Sequence, residues 1–371
     1  MSHPTLDSLL NPGPDEVSHL SECPQCRVDL RLAQTLDTDP AGLAEAREAM
    51  SRTSRVASLT FSQIGPGVGL QTGARLHEGE EVDGRWIVEA TIGRGGVGTV
   101  YRIRHKLLGS HHALKVLHLH SSELRGRLMR EGRTQATMGH PNVVQVTDII
   151  ELEGVPALVM EFVDGGSLRQ LQQMIAPFDL HVCHGLACHI LDGVAAAHAA
   201  RVIHRDLKPE NVLVEVRPDG LRARVTDFGL AKTVNTTQGS VVTRKGAMLG
   251  TPAYMAPEQL MSASDVDERA DVFALGALLY ELYTSRRALL GFSSLDLRMG
   301  VPGAVVRPPS TLRSDLPIEL ERAIMGALEP RREQRIQLPL LAQAFARFRP
   351  PFVRLSELDA RLWQARMALQ D

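Results

Sequence analysis

Hydrophobic positions change their spacing partway along the chain. Over residues 86–117, short runs rich in Val, Ile, Tyr and Leu alternate with polar positions and break at glycines, at 93–98 and at Gly109. That pattern predicts β-strands joined by tight turns. From about residue 165 to 350 the apolar spacing is that of helices. The run 272–282 is apolar on all sides, which predicts a helix enclosed by protein. A small strand-rich part followed by a larger helix-rich part predicts an α+β protein with two unequal lobes.

The two ends read differently. Residues 1–80 carry Pro12, Pro14 and Pro40, glycines at 65, 67, 69 and 73, and Ser/Thr punctuation over 51–62, the composition of an irregular tail; its one periodic stretch is 43–50. After Pro350 and Pro351, residues 351–371 have helix-like spacing over 355–369 and predict a short C-terminal helix. The compact part is therefore expected over 81–350, with the smaller lobe at 81–163 and the larger at 164–350. Length alone, 371 residues, left room for roughly 2.5 domains. No internal repeat of fixed period is apparent.

Composition narrows the class. With 43% hydrophobic residues and 31 Gly, the chain can bury a core of ordinary globular size. Lys+Arg 41 against Asp+Glu 43 gives a net charge of -2, which offers nucleic acid no basic footprint. No run reaches the ~18 apolar residues that a membrane span needs, and the first twenty residues lack a signal-peptide pattern. Four Cys are too few for a disulfide framework, so reduced thiols and a cytoplasmic location are expected.

Candidate chemistry starts at Gly93-Arg94-Gly95-Gly96-Val97-Gly98-Thr99-Val100. Glycines at a turn between strands let backbone amides approach phosphate oxygens with no Cβ in the way. A plain glycine-rich hairpin explains this run equally well, and a Rossmann reading fails because a strand follows it. Lys115 comes next, on the same strand face as the apolar Ala113 and Leu117. A lysine there is costly unless it meets an anion. In the following predicted helix, Leu124, Leu128, Glu131, Gln135 and Met138 fall within about 40° of one line, which puts Glu131 on the inward face as an anion for Lys115, the alternative being a Lys115 that snorkels to solvent and a solvated Glu131.

The most specific run is His204-Arg205-Asp206-Leu207-Lys208-Pro209-Glu210-Asn211, followed by Asp227-Phe228-Gly229 and then Ala256-Pro257-Glu258. These residues, in this order, resemble the eukaryotic-type (Hanks-type) protein kinases, and most closely the bacterial serine/threonine kinases of that superfamily. The resemblance covers about residues 81–350. It implies a bilobal protein-kinase-like fold with a small β-rich N-lobe and a larger helical C-lobe. It also implies transfer of the γ-phosphate of ATP, with Mg²⁺, to protein Ser/Thr hydroxyls.

Residue by residue, the resemblance implies that Ile92, Gly93, Arg94, Gly95, Gly96, Val97, Gly98, Thr99 and Val100 cover the nucleotide, with Ala113 beside adenine. Lys115 would hold the α/β-phosphates, oriented by Glu131; Asp206 would take the substrate hydroxyl proton and Lys208 steady the γ-phosphate; Asn211 and Asp227 would bind Mg²⁺. The segment from Met160 through Glu161 and Phe162 to Val163 would be the hinge whose backbone bonds adenine. Lys208 with Gly250-Thr251-Pro252-Ala253-Tyr254 resembles Ser/Thr rather than Tyr specificity. Arg205 would receive a phosphorylated activation segment, whose candidates are Thr233, Thr236, Thr237, Ser240 and, by spacing from Thr251, above all Thr243. Phosphorylation in trans would entail self-association. Asp271 would brace the catalytic loop, and Arg335 would pair with Glu258.

Departures from the family pattern are His112, where an apolar residue is usual, Gln135 in an apolar column, which is expected to loosen its helix, and the region 286–309. Cys23 and Cys26, with His19, read either as half of a Zn²⁺ site or as an exposed dithiol, since zinc wants four ligands. Cys183 and Cys188 share their helix with Val182, Leu186 and Ile190, which predicts buried packing despite His181, His184 and His189 between and around them. Arg55-Val56-Ala57-Ser58-Leu59 resembles a phosphorylation site in the tail. The competing classes are a nucleotide-holding module without catalysis and a scaffold acting through the tail. The complete set Lys115, Glu131, Asp206, Asn211 and Asp227 favours the enzyme.

Overall fold

The computed structural model describes residues 75–95, 98–117, 122–152, 154–228, 253–261, 266–289, 306–356, 359–360 and 363. Two units divide the chain, one of residues 72–360 and one of residues 1–71 with 361–371. The described elements belong to the first. Residues 1–74 lie outside the described residues, and with them the tail, the 43–50 stretch, His19, Cys23, Cys26 and the Ser58 motif. So do most of 355–369 and every candidate phosphorylation site from Thr233 to Thr243.

The small lobe is a six-stranded antiparallel sheet with one helix. Its strands are β1 (Glu81–Val82), β2 (Trp86–Arg94), β3 (Gly98–His105), β4 (His111–Leu117), β5 (Val146–Leu152) and β6 (Val155–Glu161), in the order β1-β2-β3-β4-β6-β5. One face of the sheet packs Val82, Trp86, Val88, Tyr101, Ile103 and Leu114 into a closed core. Helix α1 (Ser122–Ala136) covers the other face. It sits so close that a Cβ on Gly132 would come within 3.0 Å of both Ile149 and Leu158.

The large lobe begins with β7 (Gly165–Ser167) and α2 (Leu168–Ile175). A capping box starts this helix: Ser167 Oγ accepts from the Gln170 amide, and Gln170 Oε1 accepts from the Ser167 amide. Helix α3 (Leu180–Ala199) follows, then β8 (Val212–Arg217) and β9 (Gly220–Val225), which complete a three-stranded sheet in the order β7-β8-β9. Helices α4 (Pro257–Met261), α5 (Arg269–Thr284), α6 (Ile318–Ala327) and α7 (Leu338–Ala346) finish the described fold. The α+β, two-lobed expectation is met, with strands concentrated in the small lobe and helices in the large one.

α5 is the helix enclosed by protein, with every residue from Ala270 to Tyr283 buried. Helix α3 is long and apolar enough to cross a membrane, yet most of it is buried inside the fold, where it packs on α7 and β9. Its two cysteines are buried, and burial pushes the thiols up, Cys183 to about 12 and Cys188 to about 11. Past α7 the chain returns across α3. Val353 packs where Gly185 leaves room, since a Cβ there would stand 2.1 Å from Val353 Cγ2, and its carbonyl accepts from the Leu221 amide of β9 at 2.6 Å.

β9 carries the chain from this sheet toward Asp227, and segment 142–144 grips it from the small-lobe side. The Val225 amide donates to Asn142 O at 2.8 Å, the Val144 amide donates to Val225 O at 2.9 Å, and Asn142 Nδ2 donates to Ala223 O at 2.9 Å. The strand leading into the site is thereby fixed to both lobes.

Candidate active site

Strand β4 delivers Lys115 from its buried half. In register with Val100 on one side and Leu158 on the other, Lys115 is only 7% exposed, so its ammonium needs a partner at close range. Asp227 supplies it, with Nζ 2.7 Å from Oδ1. Glu131, the expected partner, stands half-buried on α1, one turn before the buried Gln135. Side chains of 122–125, 127 and 128, Leu124 and Leu128 among them, lie outside the described set.

Asp206, Lys208 and Asn211 converge in the loop after α3. Lys208 Nζ lies 2.7 Å from Asp206 Oδ2. Asn211 Nδ2 donates to Asp206 O at 2.7 Å and to Oδ2 at 3.2 Å, which leaves the amide oxygen of Asn211 as its remaining acceptor. Backbone geometry joins this loop to the other arm of the site, because the Thr226 amide donates to Asn211 O at 3.0 Å. Asn211 is thus tied to the residue that precedes Asp227.

The loop is held from below by α5. Asp271, 1% exposed in the first turn, accepts the His204 amide at Oδ2 and the Arg205 amide at Oδ1, both at 2.8 Å, and His198 Nε2 lies 2.8 Å from Oδ2. His204 accepts the Asp206 amide at Nδ1 (3.3 Å) and faces the Thr226 carbonyl with Nε2 (2.8 Å), so its ring proton sits on Nε2. Arg205 adopts φ 66 and Asp227 φ 67, a left-handed backbone that side chains rarely favour. Gln259, which sequence reasoning missed although it follows Ala256-Pro257-Glu258 directly, donates to Arg205 O at 2.8 Å and accepts the Ala256 amide at 2.9 Å.

The glycine turn lies between β2 and β3. Gly98 is demanded by packing, since a Cβ would come within 2.5 Å of Val116 O, whereas one on Gly95 would meet nothing within 4 Å. Gly96 and Val97 lie outside the described residues. Ile92, Gly93, Arg94 and Thr99 stand on the two strands beside the turn, Ile92 with 46% exposure. Below them Ala113, Met160 and Val163 share one apolar cluster, on which Val100 and Leu213 pack; Leu213 is a second residue that sequence reasoning passed over. Glu161, at the end of β6, has its carboxylate held by Arg224 of β9, which also donates to Val143 O at 3.1 Å. Beside it, His112 stacks edge-on against Trp86, ring centroids 4.7 Å apart, and burial lowers its pKa.

Gln135 does not stand loose in its apolar column. It is buried, and Nε2 donates to Phe228 O at 2.5 Å. Further from the loop, Arg169 of α2 bridges Glu210 (2.9 Å), Glu281 of α5 (2.7 Å) and the Tyr254 hydroxyl, itself bonded to Glu281. Burial and that carboxylate raise the Tyr254 pKa. Arg335 meets Glu258 as expected, in a pair that closes over α4.

Comparison with known proteins agrees with this geometry. The profile described as a protein kinase domain matches residues 86–298. The serine/threonine-protein kinase pkn3 of Myxococcus xanthus is 37% identical over 282 residues, which is 72% of this chain and 50% of that protein. Pkn1 of the same organism is 37% identical over 252 residues (66% of this chain, 35% of that protein). PknL of Mycobacterium tuberculosis is 34% identical over 249 residues (66% and 61%). The chain thus spans less than two thirds of the length of each of these relatives. With the profile spanning more than half of its residues, and with a lysine–aspartate pair set against an Asp-Lys-Asn loop at the base of a six-stranded lobe, the chain belongs to the protein kinase family and is similar to its bacterial serine/threonine members.

Proposed function

We propose that this protein is a serine/threonine protein kinase that transfers the γ-phosphate of ATP to Ser or Thr hydroxyls of other proteins and of itself. The observation that carries the reading is the convergence of the Lys115–Asp227 pair with Asp206, Lys208 and Asn211, joined through the bond from the Thr226 amide to Asn211 O. Phosphoryl transfer asks chiefly for positioning and charge neutralisation, and this arrangement supplies both.

In this reading Asp206 accepts the hydroxyl proton as the oxygen attacks, while Lys208, 2.7 Å from it, balances charge on the γ-phosphate. Lys115 turns from Asp227 toward the α/β-phosphates, with Glu131 beside it on α1. Asn211 offers an amide oxygen and Asp227 a carboxylate that is about a quarter exposed (26%), hard donors that suit Mg²⁺ with waters and phosphate oxygens completing its shell. When bound, the ion neutralises charge on the phosphates. The glycine turn from Ile92 to Val100 covers the nucleotide, Ala113 and Val163 flank adenine, and the backbones of Glu161 and Val163 bond its edge. The cytoplasm, with its ATP and reduced thiols, is the compartment that suits this chemistry.

Autophosphorylation at Thr243 is part of the proposal. Arg205, next to Asp206, supports it: its Nε is buried with no hydrogen-bond partner among the described residues, a donor that an activation-segment phosphate could take. Phosphopeptide mapping after incubation with ATP should find Thr243 modified, and active enzyme with Thr243 unmodified speaks against the site. The decisive assay compares wild type with Asp206→Asn using γ-labelled ATP and Mg²⁺. Transfer should fall by about 10² to 10⁴-fold. Equal signal from both proteins sinks the reading.

A further inference from the structure

Asp227 sits in a left-handed conformation, φ 67, that must be stabilised by its surroundings. The two carbonyls that flank it are both held by side chains. Thr226 O faces His204 Nε2 at 2.8 Å, from the catalytic loop. Phe228 O accepts from Gln135 Nε2 at 2.5 Å, from α1. Phe228 is itself 1% exposed, with its ring tilted 52° against that of His204, centroids 4.8 Å apart. A buried amide is tolerated only where it finds partners, and an apolar side chain of the same volume would fill the space without restraining that carbonyl.

We propose that Gln135 is a positioning residue for Asp227: its amide clamps the carbonyl on the far side of the left-handed residue, so the carboxylate is presented correctly only while α1 is docked. The inference rests on the reading of Asp227 as a Mg²⁺ ligand. Gln135 touches no substrate. It converts the position of α1 into the orientation of a metal-binding group through one directional bond, where an apolar contact would allow sliding.

The test measures Mg²⁺ binding to the protein–ADP complex by titration calorimetry, for wild type, Gln135→Met, Gln135→Leu and Asp227→Asn, with ADP affinity in the absence of Mg²⁺ and melting temperature recorded alongside. Both Gln135 variants should bind Mg²⁺ about fivefold more weakly, the net worth of one hydrogen bond, with Mg²⁺-free ADP affinity unchanged. Their melting temperatures should stay within about 4 °C of wild type, so that the loss is not one of folding. Mg²⁺ affinity equal to or tighter than wild type in the Met and Leu variants, with Asp227→Asn defective, overturns the role of Gln135 alone. Undiminished Mg²⁺ binding by Asp227→Asn instead overturns the metal reading on which it stands.

Discussion

Arg335 holds Glu258 through both terminal guanidinium nitrogens, at 2.7 and 3.1 Å, while its own side chain is fully buried. The same guanidinium donates to the carbonyls of Arg269, Glu329 and Pro330 and lies 5.0 Å from the centre of the Phe273 ring. Every donor direction of the fork is used, so the residue ties α4, the start of α5 and the turn after α6 into one joint.

Breaking that joint should be expensive. Arg335→Ala leaves a carboxylate largely buried without its cation and is expected to cost about 3–5 kcal/mol. Arg335→Lys should rescue little, because a point ammonium cannot meet Glu258 and three carbonyls at once. Calorimetric melting should show drops of similar size for both variants. A Lys variant melting with wild type refutes the argument.

His189 provides a pH test. Its Nδ1 accepts the Ala223 amide of β9 at 3.4 Å, and burial, aided by Arg349, lowers its pKa to about 4. A group whose folded pKa lies below its ordinary value of 6.5 adds stability that is complete above pH 6.5 and lost as pH falls toward 4. The loss should approach about 2 kcal/mol at pH 5. Urea midpoints at pH 7 and pH 5 should converge more for His189→Gln than for wild type. Identical acid losses in the two proteins refute the assignment.

Gly185→Ala sets two effects against each other. Alanine favours a helix interior by about 1 kcal/mol over glycine, but overpacking against Val353, 2.1 Å from the new Cβ, costs about 1–3 kcal/mol. The single variant should be destabilised, and adding Val353→Ala should recover stability. A single variant that gains stability shows that the segment at Val353 moves aside freely.

Much of the site was legible because its chemistry is written locally. Asp206, Lys208 and Asn211 lie within one turn of loop, and the strand period alone placed Lys115 on a buried face. The partners that sequence spacing could not supply are those made by tertiary packing. Local periodicity pointed Lys115 at the nearest inward acid, Glu131, and gave no sign that Asp227, 112 residues further on, would also stand 2.7 Å from its ammonium. It marked Gln135 as a defect in an apolar column, although 93 residues later Phe228 offers the carbonyl that satisfies it. Arg169 with Glu281 and Arg224 with Glu161 carried no signal at all, since ordinary surface charges look the same in sequence. The two-lobed class was readable from the change of period, whereas the return of the chain through Val353 followed two prolines that read as an exit.

β9 is the outer strand of its sheet, and outer strands ordinarily present a row of open backbone groups to any passing chain. Here the row is taken. Leu221 N–H is capped by Val353, Ala223 N–H by His189, Ala223 C=O by Asn142, and both groups of Val225 by Asn142 and Val144. Three separate parts of the chain, the segment at Val353, helix α3 and segment 142–144, close the strand against edge-to-edge association. Cutting the chain ahead of Val353 would reopen its first rung, so a shortened protein would be soluble only at the risk of pairing with its own copies.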